Sequence, residues 1–494
     1  MVVQDVSKLL VIARTIKNAF TPINRVPPEV LSLVPDYCRR SELVGLTHVC
    51  RRWREIFISC ASLWTFLDCM NFDQTSAYLE RSKRSPLEIR VEKEHILHGA
   101  FMLAISQIRR LKALILSGSS HSILKLTDCL ISPAPLLEKL AIHVTGVPAA
   151  VIKSTLFGGD LQQLRILDLS GVITYLPWKN LSNLTTFYLH QMSGDEISVT
   201  HLLDFFERAP LLLRIKLEDS LPDSSDAPIQ RVVPLPHLRS LHIIAEPAHS
   251  ILLNHLYIPT GASVTLRFRY DPTGSPYLDY LPRSLDNLGN ISHITSVNLD
   301  FNLGIALRLE GPSGALCVDG VMNVILPSDR RIDLQFLDKL PVSTTERLEI
   351  VQWDALASLC FEEQFPYQTL LPMNDIRTLM LIDCAHPCFI TGLNPNRNTS
   401  NTMVCPKLEE LVMYVQESLN ESYIGELVDM AKERASTGAK LSTFVVDCPR
   451  EPGLAHEAFV LKRYVPRAEH RLDGHPLDWG PILRKVGDTI PGWD

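Results

Sequence analysis

The chain lacks several features that would place it in large functional classes. Positive charge is one: 48 Lys and Arg against 55 Asp and Glu leave a net charge of −7 over 494 residues. No bulk attraction to nucleic acid or to an anionic membrane follows from that balance. Long apolar runs are also missing. The start, "MVVQDVSKLLVIARTIKNAF", holds only the short apolar run Leu9 to Ala13, between Lys8 and Arg14. That is too short for a signal-peptide core or a membrane span. The eleven cysteines stand singly along the chain. A long chain without a dense cysteine framework is expected to keep its thiols reduced, in the cytoplasm or nucleus. No P-loop, G-x-G-x-x-G or H-E-x-x-H pattern occurs. The expectation is a non-catalytic intracellular protein with no cofactor or metal, and with neither nucleic acid nor membrane as partner.

What is present is the composition of a folded chain, 46% hydrophobic and 21% charged. Its length suits one large domain or several ordinary ones. In residues 1–22, Val6, Leu9, Ala13, Ile16 and Phe20 recur at helical spacing, which predicts a short amphipathic helix.

Residues 26 to 64 carry the densest local pattern. Pro27 and Pro28 lack amide donors and suit a helix start, with Glu29 favoured in the first turn. Val30, Leu31 and Val34 supply an apolar face, and Pro35 predicts that this helix is short or kinked. Ser41 is positioned as the N-cap of a second helix running through "ELVGLTHVCRRWREIFIS". Its apolar positions Leu43, Leu46, Cys50, Trp53 and Phe57 step by three and four, and Arg51, Arg52 and Arg54 fill the remaining arc. Periodicity alone leaves this open as a helical subdomain with a solvated basic face.

The residues themselves add a resemblance. "VPPEVL" at 26 to 31 followed by "LTHVCRRW" at 46 to 53 resembles the F-box motif, Leu-Pro-x-Glu-Ile-Leu and then Leu-x-x-Val-Cys-(Arg/Lys)-x-Trp. Pro27, Glu29, Leu31, Leu46, Val49, Cys50, Arg51 and Trp53 match, and Val26 and Val30 are conservative replacements. The continuation to Trp64 is similar to the fungal version of the module, while Pro35 and the polar stretch at 36 to 42 depart from the pattern. The resemblance implies a three-helix module over 23–64 that docks on a Skp-family adaptor and, through it, a cullin. Val26, Pro27, Glu29, Val30, Leu31, Leu46, Val49, Cys50 and Trp53 would form that module and its docking surface. Trp53 is expected to belong to the module's own core.

Beyond the module, an apolar residue, two variable ones, an apolar, one variable and an apolar recur as "LKALIL" at 111, "LEKLAI" at 137, "LRILDL" at 164, "LTTFYL" at 184 and "LRSLHI" at 238. Later copies include "ITSVNL" at 294, "IRTLML" at 376 and "LEELVM" at 408, and several are preceded by Pro-Leu-Leu or Pro-x-Leu. Alternation predicts short, half-buried strands, and helix-like stretches such as 198 to 210 and 421 to 438 lie between them. Such a unit resembles the leucine-rich repeat. The implied fold is α/β, a small all-α F-box module followed over 65–450 by an irregular leucine-rich-repeat solenoid with a parallel sheet. The repeat's usual turn asparagine or cysteine is present clearly only at Asn302 and Cys384. A hairpin insertion is expected near 304–326, on both sides of "GPSG". A C-terminal cap or tail fills 451–494, where "FVLKRYV" is positioned to add a last strand and Trp479 and Trp493 to cover an apolar end.

Other chemistry-bearing clusters have simpler explanations. "GPSGA" at 311 to 315 has its glycines at the wrong positions for a nucleophile elbow. Glu92, Glu94, His95 and His98 in "EKEHILH" read as a polar face, and "CAHPC" (Cys384, His386, Cys388) lacks a second zinc-ligand pair. In the repeat strands the alternating positions place Tyr188, Arg214, Lys216, His242, Arg267 and Arg269 opposite the core. They are candidate residues for an acidic or phosphorylated protein target. The resulting expectation is a substrate-recognition adaptor of a Skp-cullin-F-box type ubiquitin ligase. The alternative is a leucine-rich-repeat scaffold that binds a partner without ligase function.

Overall fold

The computed structural model describes residues 2–92, 98–146, 149–152, 156–159, 161–174, 181–190, 198–219, 231–245, 252–268, 281–282, 284–300, 304–321, 337, 340–351, 370–383, 387–397, 403–415, 421–447 and 460–471. The chain divides into two units, Met1–Leu212 and Leu213–Asp494. Among the described residues, no helix is long and apolar enough to cross a membrane.

The first unit opens with helices. They are α1 (Val2–Phe20), α2 (Pro28–Leu31), α3 (Leu43–Leu46), α4 (Arg51–Ser59) and α5 (Phe72–Arg81). The second helix expected from the sequence is therefore two pieces, and the break has a local cause. The Thr47 hydroxyl donates to the Val44 carbonyl at 2.6 Å, a bond that competes with the helix ladder. Cys50 then runs extended. Ser41 is no N-cap, because it lies inside a 3₁₀ turn, Arg40–Glu42. The Glu42 carboxylate instead accepts from the Arg39 amide at 3.0 Å.

A helical N-terminal region thus precedes a mostly parallel sheet. In the first unit, β1 (Phe66–Leu67), β2 (Leu87–Val91), β3 (Leu111–Ser119), β4 (Lys139–Thr145), β5 (Ile166–Ser170) and β6 (Thr186–His190) pair in chain order, each neighbour parallel. Parallel neighbours require crossovers, and the spacing between the apolar motifs supplies them. Leu164, Leu167 and Leu169 are buried. Phe187 of β6 packs on Phe205 of the following helix, Val199–Arg208, with ring centroids 4.5 Å apart. That helix is capped by Ser198, whose hydroxyl accepts from the His201 amide at 3.2 Å.

A repeated backbone device sets up the strands. The amides of Leu137, Leu164 and Leu184 donate to the carbonyls three residues earlier, at 3.1, 3.0 and 2.9 Å. Next, Glu138, Arg165 and Thr185 donate to the carbonyls of Lys112, Glu138 and Arg165 on the preceding crossing, at 2.8, 2.8 and 2.9 Å. The second unit does the same at Arg377, Glu409 and Ser442, each at 2.8 Å. Within each unit, backbone bonds thus tie one strand entry to the next; Asn302 and Cys384 lie outside the described residues.

In the second unit β7 (Arg214–Glu218), β8 (Ser240–Ala245) and β9 (Ala262–Phe268) are parallel neighbours. Beside β9 the order reverses. Strands β10 (Ser296–Asp300), β11 (Gly304–Gly311) and β12 (Gly314–Val321) follow in sequence, but β12 pairs with β9 and β11 lies between β12 and β10. Strands β13 (Arg347–Val351), β14 (Thr378–Ile382), β15 (Glu410–Tyr414), β16 (Thr443–Asp447) and β17 (Arg467–Arg471) then continue parallel from β10. The hairpin at 304–321 is therefore no excursion from the sheet. It supplies two of its strands and separates β9 from β10; residues 322–326 lie outside the described part. Leu238, Leu241 and Ile243 are buried.

The hairpin turn is fixed by packing. Gly311 and Gly314 leave no room for a Cβ, which would run into the His293 and Ala262 carbonyls. Ser313 is buried, accepts from the His293 amide at 3.0 Å and lies 3.0 Å from the His293 carbonyl and 3.1 Å from that of Asn290. Its hydroxyl is engaged with backbone. Another buried polar group, Arg434, sits near the end of the helix Glu421–Ser436. It is 0% exposed and donates to the carbonyls of Leu393, Val404 and Cys405 at 3.3, 3.1 and 2.7 Å. Cys405 has a φ of 48°, a region that costs a non-glycine residue about 1–2 kcal/mol. Arg434 binds the carbonyl of that strained turn. Burial lowers the pKa of its guanidinium and pushes the Cys405 thiol up to about 12.

"FVLKRYV" does not make the last strand. Residues 460 to 464 form a helical turn, with Leu461 and Val465 buried, and β17 comes after it. Trp479, Trp493 and the rest of 472–494 lie outside the described residues.

Candidate protein-docking site

Residues 22 to 64 build a small helical module around three buried side chains, Leu31, Trp53 and Phe57. Val34, Leu46, Cys50, Ile56 and Leu63 pack against them. Trp53 meets Phe57 edge-to-face at 5.4 Å, a favoured aromatic geometry. Its indole N–H donates to Asn24 Oδ1 at 2.8 Å, and Asn24 Nδ2 donates to the Asn18 carbonyl at 2.7 Å. Asn24 therefore joins the end of α1 to α4. The sequence pattern did not single it out, because nothing local to Asn24 marks its partner 29 residues away.

The arginines of "RRWR" hold the helical pieces together. Arg52 donates to the Val26 carbonyl at 2.9 Å and Arg54 to the Thr47 carbonyl at 3.1 Å. Arg51 pairs with Glu55 one turn on, at 2.7 Å. Two of the three thus satisfy carbonyls at helix ends or breaks, which would otherwise need water or caps.

Within one motif, neighbouring positions have opposite environments. Leu31 is 0% and Trp53 7% exposed, whereas Val30 is 53% and Val49 55% exposed. Leu33 and Val44 are likewise exposed, as are Pro27 and Glu29, while Val26, Leu46 and Cys50 are half-buried. The apolar positions thus split into an inner set that holds the module and an outer set that faces solvent. Leu46, which the sequence left open between docking contact and module core, packs partly buried against the inner set.

The module is also seated on α5 and the first strands of the sheet. Trp64 is buried, donates to the Phe57 carbonyl at 2.8 Å and carries Arg81 over its ring at 4.5 Å. Arg40 stacks over Phe66 at 3.9 Å and reaches Glu88 of β2 at 3.6 Å.

The candidate target-binding residues fall on two units. In the second, Arg214, Lys216, His242 and Arg267 are half-buried and alternate with core residues such as Ile215, Leu217, Leu241 and Leu266. Lys216 stands opposite His242 in register, and Arg214 opposite Ser240. This face is not simply basic, since Lys216 pairs with Glu218 and Arg267 with Asp319, each at 3.2 Å. Arg308–Glu310 and Arg347–Glu349 repeat the arrangement at 2.6 and 3.7 Å. Arg269 lies outside the described residues. Tyr188, in the first unit, stands beside Asp168. His143 Nε2 reaches that carboxylate at 3.0 Å and His190 Nε2 at 3.9 Å. The hydrogen bond to Asp168 raises the His143 pKa against the opposing effect of burial.

Glu92 pairs with Arg90 at 3.2 Å and His98 begins a helix, while Glu94, His95, Cys384 and His386 lie outside the described residues. Among the described residues no group of three His, Cys, Asp or Glu side chains is arranged to hold a metal ion.

Comparison with known families finds a match to the family described as F-box-like, over residues 23–70. No curated protein matches the chain. The family match covers the two motif halves, the Leu31–Trp53–Phe57 core and the Trp64 seat together. The chain therefore carries an F-box-like domain at residues 23–70.

Proposed function

We propose that this protein is the target-recognition subunit of a Skp-cullin-F-box type ubiquitin ligase. The observation that carries the reading is the F-box-like module itself. Its motif residues divide into a closed core and an outer apolar set, Val30 and Val49 foremost, left facing solvent. Apolar side chains on short helices are the usual anchors for a partner's groove. F-box domains generally bind Skp-type adaptors, and a cullin joins through the adaptor. The chain itself makes or breaks no bond. Its contribution is proximity, raising the effective concentration of a target beside the transferring enzyme.

The repeated strands and their shared backbone turns support reading residues 65–450 as an irregular leucine-rich-repeat solenoid. The target-binding residues on this reading are Arg214, Lys216, His242 and Arg267. Glu218 and Asp319 already pair with two of them, so the target offers charges of both signs or displaces those carboxylates. Affinity purification of the tagged full-length chain tests the function. Adaptor and cullin are expected together in the eluate. Their absence, with the chain folded by circular dichroism, refutes the ligase reading and leaves a scaffold. Arg214→Glu with Arg267→Glu should lose target while keeping adaptor; unchanged capture moves the target site elsewhere.

A further inference from the structure

The helix α1 precedes the F-box-like module and turns a row of apolar side chains to solvent. Val6, Leu9, Leu10, Ile12, Ile16 and Phe20 are between 48% and 69% exposed. The expected amphipathic stripe exists, yet it is uncovered along the helix. An exposed apolar strip of this kind, on the order of a few hundred Å², is of the size that often marks an interaction surface.

Two observations point to its occupant. The first is attachment. Thr21 Oγ1 donates to the Lys17 carbonyl at 3.3 Å, and Asn24 ties the Asn18 carbonyl to the Trp53 indole at 2.7 and 2.8 Å. The end of α1 is thereby bonded to the module that carries Val30, Leu33 and Val49, and the exposed Ile23 lies in the connecting turn. The apolar strip of α1 is therefore tethered at its C-terminal end to the module that carries the outer apolar set. The second is charge. From residue 6 to residue 28 the chain has Lys8, Arg14, Lys17 and Arg25 and no Asp or Glu, in a protein of net charge −7.

We propose that α1 is a second docking element for the same adaptor that the F-box-like module binds, laying its apolar strip in a groove with an acidic rim. This rests on the function proposed above, and it extends the interface well before residue 23. A helix fixed at one end to its neighbouring anchor adds contacts with little further ordering cost, which is why linked elements bind more tightly than either alone.

The test uses the full-length chain and a purified Skp-family adaptor in a direct binding titration. Leu9→Lys with Ile16→Lys places two charges in the strip at exposed positions. It should weaken adaptor binding by about tenfold or more while leaving the circular dichroism and melting temperature unchanged. Val11→Lys, exposed on the opposite side of the same helix, should leave affinity unchanged. Equal affinity for the double variant and wild type overturns the proposal, as does an equal loss from Val11→Lys. If the double variant instead abolishes self-association in light scattering, or sedimentation with phosphatidylserine vesicles, at unchanged adaptor affinity, the strip serves a second copy or a lipid surface and the proposal fails. Failure of the wild-type chain itself to bind the adaptor sinks the function proposed above, a distinct result.

Discussion

Val30 and Leu31 are adjacent in sequence, and α2 turns them toward opposite environments. Leu31 is fully buried against Trp53 and Phe57, while Val30 is half exposed. Replacing Leu31 by Ala removes a core side chain whose surroundings are two aromatic rings, with little freedom to collapse around the gap. Such substitutions cost roughly 2–5 kcal/mol. A four-residue helix has no stability of its own, so the whole loss falls on the packing of the module. Leu31→Asp adds burial of an unpaired carboxylate, a further cost of several kcal/mol. Val30→Lys removes little buried area and should stay within about 0.5 kcal/mol of wild type. The assay pairs thermal unfolding, followed by tryptophan fluorescence, with adaptor pull-down on each variant at low temperature. Leu31→Ala should unfold the module earlier. Val30→Lys should melt like wild type and fail to capture the adaptor. If Val30→Lys keeps full capture while a folded Leu31→Ala loses it, the adaptor reads the module through another face. A Leu31→Ala cost below about 1 kcal/mol would refute the core assignment itself.

Asn24→Ala leaves the Trp53 indole N–H without its partner, while the Asn18 carbonyl keeps the Thr21 amide at 3.2 Å; a loss of about 1–3 kcal/mol is expected, read as an earlier fluorescence transition. Arg434→Met removes the guanidinium from the Leu393 and Val404 carbonyls and from that of Cys405, which keeps the Leu408 amide at 3.1 Å, while removing a buried cation, for a net cost of about 3 kcal/mol; an unchanged denaturant midpoint would refute its role as a tie. Burial pushes the thiols of Cys69 and Cys405 up to about 12. Iodoacetamide at pH 7.5 should therefore spare both in the native chain and label them after denaturation, as read by mass spectrometry. His143 has a folded pKa raised above its ordinary value by Asp168, so its stabilising contribution is complete below about 6.5 and fades as pH rises through the raised value. The melting-temperature gap between wild type and His143→Gln should accordingly be larger at pH 6 than at pH 9. The effect is small because the pair is partly exposed.

Local patterns in the sequence were enough to place strands. Alternation at 164–169, 238–243 and 408–413 is encoded residue by residue, and each of those segments buries its apolar side chains as the spacing required. The two halves of the F-box-like motif likewise show apolar positions at helical intervals, of which Leu31, Leu43, Trp53 and Phe57 are buried and Val30 and Val49 are not. Partners distant in sequence were not legible. The hairpin at 304–321 shows its turn in "GPSG", but that it pairs with β9 on one side and β10 on the other depends on which edges meet in space. The helix break after Leu46 comes from one hydroxyl choosing a carbonyl, a competition that periodicity does not record. The burial split between Val30 and Leu31 needed Trp53 and Phe57 brought back from more than twenty residues away. Sequence determined which side chains are apolar and at what period; only the tertiary structure decided which of them are left outside for a partner, because burial is a property of what packs against a residue.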